Sequence, residues 1–434
     1  MRFRTPPTIP SVAAFRASMT PLARLLWRPR LEGLEHFPKK GPCFIYGNHS
    51  NRWDPFIINC FMPWLTPTAG VMTKEYFRSR ITGGLFNGVG ILPASKGLAE
   101  PFLVRRVLEL LRQDRAIVIF PEGSARWEGT PMQWMPSTVK MFVRAGVPIH
   151  PIRIHGSYMA FPRWADYPRK SRVTVEALPP ISMDRKTDVA VATETFRALT
   201  DFDETSTREE CVPTRGYKLA SGIRRLLYRD PWDDSGPCVA SSKDGRLVTT
   251  HAGRRLSMQL DSRLRDESDG TLYTTAELYE RIRFMPLVQT QGGAILDDVV
   301  LVHTESAFPN LREIGMRRVR LHADHISIDA GQAGGGQAMT IDMEKLVYCD
   351  VERNFKLQFY LQNAPDSLVQ FSFVEHGSAL QWKDALQRLC PEVVGSKSLV
   401  ALDLPDIRPD AHEHNAPSGD KSENHQQSTT GDVS

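Results

Sequence analysis

Positions 47–55 read GNHSNRWDP and place His49 five residues ahead of Asp54, directly after the apolar run PCFIYG. A histidine held by an aspartate can take a proton from a hydroxyl as that hydroxyl attacks an electrophile. The carboxylate fixes the ring tautomer and stabilises the imidazolium that forms. The spacing alone decides little: with 12 histidines in the chain, chance supplies about 0.7 such pairs. Asp54-Pro55 ahead of the apolar FIINCF also reads as a cap and a first-turn proline opening a helix.

Three further stretches carry residues able to do chemistry. IVIFPEGSARW at 117–127 is a strand pattern running into Glu122, Gly123, Ser124 and Arg126; GVGILPASKG at 88–97 sets Lys96 in a loop after a strand; AGVPIHPIRIHG at 145–156 brings Pro148 and Pro151 to another strand. Glycine permits close backbone approach to a ligand, and lysine or arginine beside it suits a phosphate. The sequence contains no G-x-S-x-G elbow, so attack by an acceptor hydroxyl itself, without an acyl-enzyme, is expected.

The elements that position these residues alternate. CFIYG, AGVMT, GVGIL, AIVIF, PIHPIRI and RVTVEAL read as strands, and PFIINCF, KEYFRSRITGGLF, LVRRVLELLRQD and STVKMFVRAG as helices. Such alternation predicts an α/β domain, a mostly parallel sheet flanked by helices. The helix near 98–113 is expected to bury Leu103, Val107, Leu110 and Leu111, with Arg105, Arg106 and Arg112 on other faces.

Taken in order, the four stretches resemble the glycerolipid acyltransferase family, the PlsC-like group that includes 1-acyl-glycerol-3-phosphate acyltransferases. Asn48, His49 and Asp54 match its N-H-x-x-x-x-D block, and Gly90 matches a glycine followed six residues on by arginine, where this chain has Lys96. Phe120, Pro121, Glu122 and Gly123 match F-P-E-G-T-R, with Ser124 for threonine, Ala125 at the arginine position and Arg126 one place later; Val147, Pro148 and Pro151 match V-P-x-x-P. The resemblance implies an O-acyltransferase with His49 as general base and Asp54 as its orienting partner. It implies a fatty acyl chain moved from acyl-CoA or acyl carrier protein to the hydroxyl of a lysophosphatidic-acid-like acceptor in phospholipid biosynthesis. It assigns the acceptor to Lys96 and the Glu122-Gly123-Ser124 turn, with Arg126 recovering the displaced charge. It implies no cofactor and no metal. Lysine binds phosphate as a point charge, without arginine's fork. Another lipid alcohol or glycerol 3-phosphate therefore stays open as acceptor, as does a non-catalytic membrane-binding scaffold.

The rest of the chain sets the surroundings. A net charge of +4 over 434 residues does not suggest wholesale nucleic-acid binding, and six scattered cysteines suggest a reducing compartment without a disulfide framework. Residues 1–30 form a basic amphipathic segment, with Arg16, Arg24 and Arg28 interleaved with Leu22, Leu25 and Trp27 and no acid before Glu32. It reads as a membrane-surface segment, a helix packed on its own domain, or an arginine-rich presequence. Residues 31–205 are the α/β domain, 206–294 a connecting region, 295–395 a β-rich module closed by a helix with Trp382, resembling the pleckstrin-homology-like family, and 396–434 a disordered tail. Arg317, Arg318 and Arg320 offer that module a second membrane contact. The uncharged 55–73 stretch is broken by prolines, so it is expected as a short helix, a break and a strand and not as a span. The expected location is the cytoplasmic face of a membrane, held peripherally.

Overall fold

The computed structural model describes residues 7–95, 100–206, 213–233, 236–240, 245–290, 292–331, 337–374 and 377–391. The expectations for Lys96 and for the tail at 396–434 lie outside the described residues.

The N-terminal domain is built on seven strands: β1 (Arg30–Glu32), β2 (Cys43–Gly47), β3 (Thr68–Thr73), β4 (Ile91–Ala94), β5 (Ala116–Val118), β6 (Ile149–His155) and β7 (Thr174–Ala177). They lie in the order β1-β7-β6-β2-β5-β3-β4. Every pairing is parallel except β6 with β7. All five residues of β2 are buried, as an uninterrupted apolar run demands of a central parallel strand. The helices are α1 (Ile9–Trp27), α2 (Asp54–Asn59), α3 (Arg80–Gly88), α4 (Pro101–Arg112), α5 (Pro136–Ala145), α6 (Ser157–Ala160) and α7 (Val189–Thr200). On α4 the buried face is Val104, Val107, Leu108, Leu110 and Leu111; Leu103 lies beside it and faces a cavity.

Helix α1 is capped by Thr8, whose side chain accepts the Ser11 N–H, and it buries Val12, Arg16, Thr20, Ala23 and Trp27 at helical spacing. One face of the basic segment is therefore packed on its own domain. Arg16 is no surface cation: it is 2% exposed and donates to the carbonyls of Pro63, Trp64 and Thr66 and to Thr68 Oγ1. Residues 55–73 resolve into α2, a loop and β3. Among the described residues no helix is long and apolar enough to cross a membrane.

The region at 206–294 is more structured than a connection. It holds β8 (Val239–Ala240), β9 (Leu247–Thr249), β10 (Arg255–Met258), β11 (Leu264–Asp266) and β12 (Leu272–Tyr273) in one antiparallel sheet. Helix α8 (Thr275–Arg283) follows, started by a reciprocal Thr274–Glu277 cap.

The C-terminal module comprises β13 (Leu296–Glu305), β14 (Arg312–Leu321), β15 (His325–Ile328), β16 (Met339–Asp342), β17 (Leu346–Glu352), β18 (Lys356–Leu361), β19 (Leu368–Ser372) and α9 (Ala379–Leu389). Its sheet order is β16-β15-β14-β13-β19-β18-β17, antiparallel throughout. Trp382 of α9 is fully buried against Phe371 and Phe373, and its indole N–H donates to Asp298 at 2.7 Å. The arginines of β14 are not a free basic patch. Arg318 is held by Asp297 through two hydrogen bonds, Arg320 by Asp329, and Arg317 donates to the carbonyls of Met316 and Ile314.

The module sits on the segment that follows β3. Thr73 Oγ1 donates to Glu352 at 3.0 Å, Gln358 Nε2 donates to Glu75 at 2.9 Å, and Lys74 pairs with Glu305 at 3.6 Å. Arg163 adds a bond to the Val351 carbonyl. These contacts bring the turn between β17 and β18 to the edge of the N-terminal domain.

Candidate active site

Strand β2 ends at Gly47, so Asn48 and His49 stand at the carboxyl edge of the sheet, where open α/β folds bind ligands. Asn48 locks this edge: its amide donates to the Ile154 carbonyl at 3.0 Å and its carbonyl accepts the Ile154 N–H at 2.7 Å. His49 Nδ1 lies 3.0 Å from Asp54 Oδ2. The same oxygen accepts the N–H groups of Ser50 at 3.0 Å and Asn51 at 2.9 Å, and Ser157 Oγ donates to the other oxygen. Asp54 is fully buried. Its carboxylate reaches back into the loop and does not cap α2, whose N-cap is Trp53. The expectation of a capping Asp54 is corrected on this point. The His49 ring stacks on Phe120 at 4.2 Å and its side chain is 17% exposed. With Nδ1 donating to Asp54, Nε2 is the nitrogen left to take a proton from a molecule beside it.

The sequence reading gave Glu122 and Arg126 to the acceptor, whereas the structure places them in a buried ion pair. Arg126 is fully buried and grips Glu122 through Nε at 2.9 Å and Nη2 at 2.8 Å, with Nη1 on the Phe202 carbonyl at 2.9 Å. Its backbone N–H donates to the His49 carbonyl at 2.8 Å. The pair braces the histidine loop from below, and neither side chain lines the cavity described next. Gly123 and Ser124 do line it. Gly123 has φ +69°, and a Cβ there would meet Met135 Sδ at 2.6 Å; Ser124 Oγ accepts from Arg163 at 2.8 Å.

Glu204 completes the brace and was not distinguished in the sequence, where it is one acid among several in DFDETSTREE. It accepts from Asn48 Nδ2 at 2.8 Å, from Ser50 Oγ, and from the Tyr158 N–H at 3.0 Å, with Arg126 Nη1 3.6 Å away. Burial pushes both Glu122 and Glu204 up to about 7, against the pull of Arg126. The hydrogen bonds of Glu204 are all accepted from donors, Asn48, Ser50 and the Tyr158 N–H, while the nearby Asp54 carboxylate adds to the upward push.

In front of His49 opens a cavity of roughly 460 Å³. Its walls are mainly apolar, including Phe56, Val71, Leu103, Val107, Met135 and Met141, and its charged and polar lining includes His49, Arg52, Arg163 and Arg353 with the carboxylates Glu100 and Glu352. The last three were not singled out in the sequence: Arg52 sits inside the first block without a family role, and Arg353 comes from the C-terminal module. A hydroxyl directed at Nε2, with an acyl chain along the apolar wall, would place base, nucleophile and electrophile in one space.

Residues 28–155 match the profile of the family described as Acyltransferase. The chain is 28% identical over 152 residues to the 1-acyl-sn-glycerol-3-phosphate acyltransferase of Pseudomonas aeruginosa, covering 34% of this chain and 58% of that protein. Among solved structures, the 1-acyl-sn-glycerophosphate acyltransferase PlsC of Thermotoga maritima is 19% identical with a TM-score of 0.36, over 44% of this chain and 77% of that one. The N-terminal PH domain of Vps36 is 16% identical with a TM-score of 0.18, over 24% of this chain and 89% of that one. The chain spans 54% to 58% of the length of the first three curated relatives it matches. Residues 28–155, which hold His49 and Asp54, thus match the Acyltransferase family model, in line with the order of their blocks.

Proposed function

We propose that the protein is an O-acyltransferase that moves a fatty acyl chain from a thioester donor to the hydroxyl of a lysophosphatidic-acid-like acceptor. The observation that carries this reading is the His49–Asp54 pair at 3.0 Å, set beside a mainly apolar cavity in a region that matches that family's model. The acceptor hydroxyl attacks the thioester carbonyl carbon while His49 Nε2 removes its proton. The tetrahedral oxyanion collapses, the C–S bond breaks, and the imidazolium returns the proton to the departing thiolate. Asp54 holds the ring by Nδ1 and balances its charge in the transition state. Acyl-CoA and acyl carrier protein both supply such a thioester.

A second acceptor class is favoured by one feature. The arginine expected in the Glu122 turn is replaced by Ala125, and Arg126 is spent on Glu122, so the family's phosphate contacts are altered here. A different lipid alcohol or glycerol 3-phosphate is the corresponding alternative.

The protein works at a membrane surface in this reading. Leu22 and Leu25 on α1, Trp64 and Leu65 after α2, and Ile81 and Leu85 on α3 are all exposed. The three elements adjoin: Phe15 of α1 contacts Phe56 of α2 and Phe86 of α3.

The test is incubation of purified full-length protein with labelled acyl-CoA, and in parallel with labelled acyl carrier protein thioester, and a panel of lyso-lipid acceptors, with His49→Ala as the blank. Acylated product dependent on His49 is expected. No product with any acceptor or either donor would overturn the proposal.

A further inference from the structure

Two cations on the cavity wall have no ion-pair partner among the described residues. Arg52 and Arg353 both line the cavity with His49, and among the described residues neither has a carboxylate or a hydrogen-bond acceptor. Each is oriented by an aromatic face instead: the Arg52 guanidinium lies 4.5 Å from the centroid of Phe161, and that of Arg353 lies 4.8 Å from Tyr76. Stacking of this kind fixes the plane of a guanidinium while leaving its N–H fork available.

The backbone at Arg353 is a second and independent observation. Arg353 and Asn354 form the tip between β17 and β18 with φ of +50° and +71°. This left-handed region suits glycine, and asparagine tolerates it; arginine enters it at an energetic cost. A long cationic side chain kept where the backbone favours glycine points to a use for that side chain. The turn is also anchored. Arg163, stacked 4.4 Å from the ring centroid of Trp127, ties Ser124 Oγ and the Ala125 carbonyl of one domain to the Val351 carbonyl of the other. Glu352 is the acid of the same turn, and it accepts from Thr73 at 3.0 Å.

We propose that Arg52 and Arg353, one from each domain, form a clamp for a phosphate group in the cavity, with Arg163 as the positioning residue that holds the Arg353 turn in place. This deepens the acyl-transfer reading and rests on it for the identity of the substrate. The phosphate is that of the lipid acceptor or of the nucleotide of an acyl-CoA donor, which share the chemistry the clamp recognises. Burial lowers the pKa of Arg52 against an attraction to Tyr76, and repulsion from Arg163, Arg225 and Arg353 adds to the lowering; a bound anion would relieve that repulsion. Arg353 thereby makes the C-terminal module part of the substrate site.

The test uses the full chain carrying His49→Ala, so that ligands bind without turnover. Arg353→Gly and Arg52→Gln are added separately. Four probes are titrated: a short-chain 1-acylglycerol 3-phosphate, the matching 1-acylglycerol, coenzyme A and pantetheine. Arg353→Gly removes the cation while satisfying the turn, so its melting temperature should not fall; Arg353→Gln supplies the same charge removal should glycine loosen the loop. Each variant should weaken one phosphate ligand roughly ten- to a hundred-fold and leave its neutral counterpart within about two-fold. Loss on the acylglycerol phosphate assigns the clamp to the acceptor, and loss on coenzyme A assigns it to the donor. Unchanged affinity for both phosphate ligands, or equal losses on phosphate and neutral ligands, would overturn the clamp. The binding readout is independent of turnover: phosphate-selective binding by a chain that transfers no acyl group would sink the proposed function and leave the clamp standing.

Discussion

Asp54 Oδ2 receives three donors at once, His49 Nδ1 at 3.0 Å and the backbone N–H groups of Ser50 and Asn51 at 3.0 and 2.9 Å. The aspartate thus folds the loop and orients the ring with one atom. In Asp54→Asn the amide oxygen can keep all three bonds, while its NH₂ meets Ser157 Oγ, which accepts once its hydroxyl turns. Geometry is then preserved and only the negative charge is lost. We expect kcat to fall by about 10²- to 10⁴-fold with little change in melting temperature, and His49→Ala to leave no activity above background. Steady-state kinetics beside thermal denaturation check this; near-normal turnover in folded His49→Ala would remove the base.

Arg126 is expected to matter for folding before it matters for substrate. It is fully buried between Glu122 and the Phe202 carbonyl. Replacement by methionine leaves Glu122 and Glu204 without their cation, which costs about 3–5 kcal/mol for a broken buried pair. Urea denaturation should show that loss. An undiminished midpoint with a selective rise in acceptor KM would instead restore Arg126 to the substrate site.

The same cluster sets a pH dependence. Glu122 and Glu204 are each pushed up to about 7 by burial, above the ordinary carboxylate range near 4.3. The folded state therefore binds more protons than the unfolded state between those values, and stability falls with rising pH. The contribution is fully present below about 4.3 and is lost as pH rises through about 7. In Glu204→Gln the slope between pH 5 and 8 should flatten. Denaturation midpoints of both proteins across that window measure it, and parallel curves would contradict the assignment.

The sequence made parts of this fold legible for physical reasons. CFIYG was readable as a strand because a central parallel strand must be apolar on both faces, and β2 occupies 43–47. KEYFRSRITGGLF looked like one helix, yet it breaks at Ser79, which takes ψ 134° between a 3₁₀ turn at Lys74–Phe77 and α3. Glu75 and Arg78 in that turn are drawn to Gln358 and Glu305 of the C-terminal module, contacts that no local periodicity encodes. His49 and Asp54 were legible because their contact is local. The buried brace of Arg126 was harder to read because Glu204 and the Phe202 carbonyl, which complete it beside Glu122, are distant in sequence, and Arg353 was invisible because its place on the cavity wall depends on how the module docks.

The last prediction concerns the membrane. Arg318 and Arg320 are neutralised by Asp297 and Asp329, and Arg16 is buried, so in the membrane-surface reading proposed above charge would supply less of an attachment than the arginine count suggests. Arg24, Arg28 and Arg30 stay exposed on the N-terminal segment, and beside them stand large apolar side chains: Leu25 is 68% exposed, Leu65 71% and Ile81 85%. Apolar side chains left in water on adjoining elements mark a surface meant to be covered, and transfer into a bilayer interface is worth about 25 cal/mol per Å². Leu25→Ser, Leu65→Ser and Ile81→Ser combined should therefore reduce sedimentation with liposomes at both low and high salt. Melting temperature should be unchanged, since none of the three is in the core. Glutamine at Arg318 and Arg320 should have little effect. If instead high salt alone releases the wild-type protein and the triple variant still sediments, attachment is electrostatic and the apolar surface serves another partner.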